Sequence, residues 1–406
     1  MVVKNERHHI KERVFAVLIS FLLSIPSFCY IVTADSTSVI HRIGIESQPT
    51  LIFRSNPFLK GNNDEGRKAT SAHAFHLKYS FAFRPYTIPG QLYKNGYQGI
   101  GVSYSRFGFS KELGNPVSIY LFHGASIAML NRRVSWNYEW NFGISLGWKP
   151  YDTFSNDYNQ MIGSKANAYL NLSTYLNWRL SPTFDLQTGV SFTHFSNGNT
   201  KYPNAGLNTS ALKLGLVYNI QRKEQDEWKQ KQVIPSFEKH TSYDVIVFGS
   251  WRRRGMHVDD EHIAAPNAYG VAGFNFAPMY NFDYRFRAGI SFDGVYDASA
   301  NLYYDDYIVG TMPEFKRPVF SKQIALGVSG RAEYVMPYFA INVGMGVNVL
   351  HHGGDMKGVY QVLALKMDVT RNLFLHIGYN LKNFKDPNYL MLGFGIRLHN
   401  LRRNLL

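Results

Sequence analysis

The sequence predicts an all-β chain, a transmembrane antiparallel β-barrel of about 16 strands in one barrel, with two eight-strand barrels in tandem as the alternative. Three observations predict it. Apolar residues recur at every second position over long runs. The connections between runs alternate between long polar loops and tight turns. The N-terminus has the pattern of an export signal.

Composition frames the reading. The chain has 406 residues, 18% charged and 15% aromatic, with a single cysteine and a net charge of +14. The charged fraction is below the ~25% of a typical soluble domain. One cysteine, Cys29, excludes a disulfide framework and a multi-cysteine metal site. The positive charge calls for an acidic partner, nucleic acid or an anionic lipid surface. The N-terminus decides between them. Lys4, Arg7, Lys11 and Arg13 precede the apolar run Val14 to Ser24, Pro26 breaks it, and Val32-Thr33-Ala34 offers small residues for cleavage. Residues 1–34 therefore read as a secretory signal peptide. Export leaves no nucleic-acid partner and makes membrane lipid the expected one.

The strands follow in order. Residues 134–148 carry Val134, Trp136, Tyr138, Trp140, Phe142, Ile144, Leu146 and Trp148 at even positions, with Ser, Asn, Glu or Gly between them. Strict period two is a strand with one apolar face. The same alternation gives candidate strands at 41–54, 71–84, 97–109, 117–132, 134–148, 167–180, 184–197 and 207–220. It continues at 241–253, 268–280, 284–296, 322–336, 338–350, 358–370, 373–384 and 389–398. The other row is mostly Gly, Ser, Asn and Thr, as suits a barrel interior. Connections 55–70, 149–166, 198–206, 254–267 and 297–321 are long. Those at Arg133, 181–183, 281–283, Pro337 and 370–372 are short. Long loops on one rim and short turns on the other are the organisation of an outer-membrane barrel. Trp136, Trp148 and Trp178 read as interface aromatics.

An internal repeat divides the chain. Gly189 to Phe195 superposes on Gly378 to Phe384, pairing His194 with Asn383 and Ser196 with Lys385, and Pro203-Asn204 finds a counterpart in Pro387-Asn388. Residues 35–220 form a first half and 241–406 a second, degenerate half. The polar stretch 221–240 is a linker or a long turn on the short-turn side.

Chemistry concentrates at the end of strand 184–197. Phe184, Leu186, Val190, Phe192, His194 and Ser196 share the apolar, lipid-facing row, because residues i and i+2 of a strand share a face. On the next strand Asn208 faces the same way near the same rim. Polar groups facing lipid are costly unless they pair or act. His194 as base, Ser196 as nucleophile and Asn208 orienting the imidazole compose an ester hydrolase. Asn204 or Asn197 would serve the oxyanion.

The run His194-Phe195-Ser196-Asn197, then Pro203-Asn204-Ala205-Gly206, resembles the signature of the PagL-type lipid A 3-O-deacylases, whose wider relatives are called acyloxyacyl hydrolases. The resemblance spans about 190 residues, with sharp identity only from 194 to 208. It implies an eight-strand barrel, lipid A or lipopolysaccharide as substrate, and no cofactor. It implies that His194 is the base, Ser196 the nucleophile and Asn204 the oxyanion asparagine. The family's glutamate aligns with Asn208, where an amide cannot supply the charge that stabilises imidazolium; Asp152 or Asp157 in the neighbouring loop is a candidate substitute.

The expectation is an outer-membrane lipid A deacylase of a Gram-negative bacterium, with the acyl position and the oligomeric state open. The alternatives are a non-enzymatic channel or structural barrel with a relict site, and lipid acyl transfer. Arg252, Arg253 and Arg254 are candidate ligands for lipopolysaccharide phosphates. Asp259-Asp260-Glu261-His262 and His351-His352 with Asp355 are weak cation candidates, more simply read as solvated loops.

Overall fold

The computed structural model describes residues 39–227, 229–253, 255–258, 261–265, 267–304, 314–383 and 386–400. The expected signal peptide and Cys29 lie outside them. The first half holds β1 Val39–Ile52, β2 Ser71–Phe83, β3 Tyr97–Arg106, β4 Gly114–Met129, β5 Val134–Trp148, β6 Ala166–Arg179, β7 Phe184–Ser196 and β8 Leu207–Ile220. The second begins with β9 His240–Arg252, a rim hairpin of β10 Gly255–Val258 and β11 Glu261–Ala264, then β12 Tyr269–Asn281 and β13 Phe286–Asp297. A second small hairpin, β14 Tyr303–Tyr304 and β15 Phe315–Lys316, precedes β16 Ile324–Met336, β17 Phe339–His351, β18 Val359–Asp368, β19 Leu373–Lys382 and β20 Asp386–His399.

The expectation of one sixteen-strand barrel is corrected here. The strands close into two barrels of eight, β1 to β8 and β9 with β12, β13 and β16 to β20. The deciding pairings are long-range. β8 returns to β1 from His41↔Ile220 to Ile52↔Thr209, and β20 returns to β9 from Leu392↔Gly249 to His399↔Ser242. Strand parity is the same for one barrel of sixteen or two of eight, so alternation alone cannot separate them. Residues between β8 and β9 cross the short-turn rim of the first barrel. There Arg84 pairs with Asp226, Gln232 N–H donates to Tyr86 O at 2.9 Å, and Gln91 Nε2 donates to Gln232 O at 2.7 Å.

Each barrel is apolar outside and polar within. Ile43, Ile45, Leu77, Leu172, Phe192 and Leu212 are exposed on the first barrel, and Val247, Ile290, Val347 and Phe394 on the second. Such a belt belongs in hydrocarbon, and closure leaves no unpaired strand edge there. An eight-strand interior is just wide enough for side chains to fill it. In the first barrel the filling is an ion cluster. Lys213, fully buried, lies 2.7 Å from Glu46 and 3.2 Å from Glu139, and Lys78 bonds both acids. In the second, Asp244 binds Lys366 at 2.8 Å and Arg397 at 2.6 Å, and Glu333 lies between Lys366, Arg397 and Arg287. Above the first cluster an aromatic plug of Phe107, Trp148, Tyr169 and Phe195 closes the long-loop end.

Trp148 belongs to this plug and is corrected from an interface residue. The β4–β5 register shifts between Gly114 and Val117, and Gly147 takes φ +91°. The irregularity turns Trp148 inward, to 3% exposure, stacked on Phe107. Trp136 and Trp178 stay outside, donating to Thr174 and Thr188 across the strands.

The barrels lie side by side. Trp140 meets Phe339 edge-on at 5.7 Å, and Phe81 meets Tyr338 at 6.2 Å. Leu121 and Phe142 pack against the patch of Met336, Phe339 and Leu365. At the long-loop rim the contact passes to the connection between β7 and β8.

The ion cluster yields a stability prediction. Lys213→Met leaves two buried carboxylates with one lysine, and breaking a buried pair from one side costs about 3–5 kcal/mol. Urea unfolding of the detergent-folded protein should show a loss of that size. A loss under ~1 kcal/mol would mean that the cluster is not what holds the interior together.

Candidate active site

The site begins with Phe195. Its ring points into the barrel at 2% exposure, edge-on to Phe107 at 5.9 Å and Trp148 at 5.0 Å, and tilted against Tyr169 at 5.5 Å. With Phe195 fixed inside, its neighbours His194 and Ser196 must face outward, as side chains alternate along a strand. Both are half-buried at the long-loop end of β7.

Register then supplies the partner. His194 lies directly across from Asn208 of β8, and Nδ1–H donates to Asn208 Oδ1 at 2.6 Å. An amide oxygen only accepts, so the bond fixes the proton on Nδ1 and leaves the Nε2 lone pair free as a base. Among the described residues no hydrogen bond joins His194 to Ser196 Oγ. Catalytic hydrogen bonds often tighten only when substrate arrives. Gly206 seats the ring: it has φ +72°, and a Cβ there would stand 3.1 Å from His194 Cε1. The apolar surround comes from Phe53 and Phe192, 6.0 Å apart; Phe53 N–H donates to Asn208 O at 3.0 Å.

Comparison with known proteins gives the site a context. Residues 73–217 match the family model of lipid A 3-O-deacylase (PagL), and residues 241–400 match that of the acyloxyacyl hydrolase C-terminal domain. The first match runs from β2 to β8, and the second spans the second barrel from β9 to β20. The chain belongs to the PagL and acyloxyacyl hydrolase family. No curated protein matches it. Among solved structures, Neisserial surface protein A is 11% identical, covering 44% of this chain and 96% of its own, at a TM-score of 0.29. The outer membrane enzyme PagL is 16% identical over 44% and 98%, at 0.25. Ail of Yersinia pestis is 13% identical over 45% and 99%, at 0.24. Scores this low do not by themselves establish a shared fold.

Within the PagL-matching barrel, the residues after β7 form a compact loop. Asn204 Oδ1 accepts from Asn197 N–H at 2.9 Å, and Asn204 Nδ2 donates to Asn199 Oδ1 at 3.1 Å. Asn204 thus keeps one amide hydrogen beyond this pairing. Asn197 is corrected as an oxyanion candidate. It is buried, its backbone N–H goes to Asn204, and its Nδ2 donates to Lys201 O at 2.7 Å. These bonds commit it to building the loop.

The remaining sequence candidates separate. Arg252 turns inward, its Nη1 3.0 Å from Asp297 and 2.6 Å from Asn388, so it is corrected as a phosphate ligand. Arg253 Nε donates to Ala265 O at 2.7 Å, and Arg254 lies outside the described residues. Asp152 caps its own turn, accepting from Phe154 N, Ser155 N and Ser155 Oγ; these bonds, the Ser155 hydroxyl foremost, hold its carboxyl below the usual range. It is committed to that turn and does not replace a glutamate beside His194. Asp157 is exposed in the same loop. Asp259 and Asp260 lie outside the described residues, as do the side chains of Glu261 and His262. His351 Nδ1 accepts from Gly353 N–H at 2.8 Å, and Asp355 accepts from Asn301 N–H at 2.7 Å. Both stitch loops.

In the second barrel β19 occupies the place of β7, but its connection to β20 is only residues 383–385. Phe384 and Lys385 lie outside the described residues; Asn383 is an exposed turn residue at φ +51°. The loop that carries Asn197 and Asn204 has no counterpart there.

Sequence reasoning missed one pair. Ser47 Oγ and His73 Nε2 are 2.9 Å apart on the outward face, with His73 stacked on Phe75 at 4.3 Å. They are 26 residues apart, and only the β1–β2 register joins them.

Gly206→Val tests the seat of His194. It meets both a positive φ, which costs an L-residue about 1–2 kcal/mol, and the close ring. The barrel should fold, shown by heat-modifiable migration, while ester hydrolysis falls at least tenfold. Full activity would show that the ring position in the structure is not the working one.

Proposed function

We propose that this chain is an outer-membrane serine esterase that removes an ester-linked acyl chain from lipid A in the outer leaflet, with His194 as base, Ser196 as nucleophile and Asn208 as the residue that orients the imidazole. On this reading residues 1–34 are cleaved on export, and the long-loop rim faces out of the cell. The observation that carries it is the 2.6 Å His194–Asn208 bond, made on an outward, lipid-facing surface beside Ser196. The family match supports lipid A as the substrate class.

The steps follow from the geometry. An acyl chain lies along the apolar outer face near Phe53 and Phe192, bringing its ester carbonyl to Ser196. His194 Nε2 takes the Ser196 proton as Oγ attacks the carbonyl carbon. The oxyanion takes the spare Asn204 amide hydrogen. Nε2–H then protonates the departing sugar alkoxide, leaving an acyl-Ser196 ester. Water, deprotonated by the same nitrogen, releases the fatty acid and restores the serine. Only side chains are required. A conducting channel is disfavoured, because an ion cluster crosses each interior and the aromatic plug closes the first.

Mass spectrometry of lipid A incubated with folded protein tests the reading. Wild type should remove one acyl mass, and Ser196→Ala none while staying folded. Equal loss from both would sink the mechanism. Asn208→Glu gives a second test. A carboxylate stabilises the imidazolium that forms, whereas an amide does not; the converse exchange in a Ser-His-Asp triad costs ~10⁴ in kcat. Asn208→Glu should therefore raise kcat by about tenfold or more, part of that range. The carboxylate also favours protonated histidine. Protonated histidine cannot act as base, so the acid limb of the pH–rate profile should move to higher pH. An unmoved limb would mean that residue 208 does not contact the working histidine.

A further inference from the structure

We infer that the second barrel is a positioning partner of the first: Leu390 and Arg253, at its long-loop rim, hold the loop that follows Ser196 and carries Asn204 in the candidate site. This rests on the esterase reading and adds a role for the half of the chain to which that reading assigns no catalytic residue.

The contacts run in a line. Gly198, two residues after Ser196, is buried with φ +62°, and a Cβ there would stand 2.7 Å from Leu390 Cγ and 2.8 Å from Cδ2. The next residue, Asn199, accepts from Arg253 N–H through its carbonyl at 2.9 Å. Asn199 Oδ1 takes the Asn204 amide, and Asn204 Oδ1 takes the Asn197 N–H adjoining Ser196. A displacement of Leu390 or Arg253 is therefore felt at the nucleophile and at the oxyanion donor through four residues.

The other side of the loop is held by the first barrel itself. Gly206 N–H reaches Met161 O at 3.4 Å, and Gly163 sits against Tyr202 and Pro203. The loop is clamped between its own barrel and the second. Three features of the second barrel suit it to this. Its β19–β20 connection is only three residues long, so Leu390 lies close to that rim. Leu390 O accepts from Ser250 Oγ at 2.7 Å, tying β20 to β9 under the contact. Arg253 Nε is anchored on Ala265 O, which steadies the backbone that donates to Asn199. The seam of Trp140 and Phe339 below fixes the two barrels relative to each other. The degenerate half thus replaces a catalytic loop with a platform for its neighbour's loop.

The test uses the full chain with Leu390→Asp and Leu390→Met, both checked for heat-modifiable folding. Hydrogen exchange by mass spectrometry and steady-state kinetics on lipid A are read together. Leu390→Asp should speed exchange at residues 197–204 at least tenfold, leave β7 and β8 amides unchanged, and lower kcat at least tenfold with KM within twofold. Leu390→Met should restore both. Unchanged exchange at 197–204 overturns the docking whatever the activity. Faster exchange with unchanged kcat overturns the positioning role and leaves the esterase reading standing. If wild type itself deacylates nothing, the esterase reading fails, the positioning role falls with it, and the exchange experiment decides the loop contact alone.

Discussion

The ring of Phe195, locked among Phe107, Trp148 and Tyr169 inside the first barrel, is the constraint on which the rest of the site depends. A strand has one degree of choice, which face is in. Once Phe195 is in, His194 and Ser196 are out, and a register slip of one residue would bury both. The aromatic plug is therefore what puts a base and a hydroxyl on the lipid-facing surface. The β7–β8 register then sets Asn208 opposite His194, and the close approach permitted by Gly206 completes the seat.

The barrel interior supports this rather than competing with it. Buried ion pairs contribute little net stability when compared with apolar packing, but each is costly to break from one side. The clusters around Lys213 and around Asp244 thus fill the two interiors with charges that hold one arrangement of strands. The plug above needs that fixed floor. Both barrels share the device with different residues, Lys and Glu in one, Arg, Lys, Asp and Glu in the other. The interiors retain a design that the rims do not share.

Much of this was legible in the sequence. Period-two runs located the sixteen long strands, because a membrane strand must show one row to lipid. The same alternation put His194, Ser196 and Asn208 on one face. What was not legible depends on distant pairing. Closure of β8 on β1 leaves no local mark, since a strand entering a sixteen-strand barrel would read the same. Trp148 keeps its even position in the sequence, yet Gly147 and the register shift turn it inward. Arg252 looks like a rim cation until Asp297 and Asn388 are placed beside it by β13 and β20. The Ser47–His73 pair and the contact of Gly198 with Leu390 are likewise products of register and barrel packing.

The account turns on whether Ser196 is the outward nucleophile. The most direct measurement is covalent labelling of the folded protein with an alkyl fluorophosphonate, with the adduct located by mass spectrometry of the digested chain. The account predicts a single adduct on Ser196 that disappears in His194→Ala. A chain that deacylates lipid A but carries its adduct elsewhere, on Ser47 for example, would contradict it.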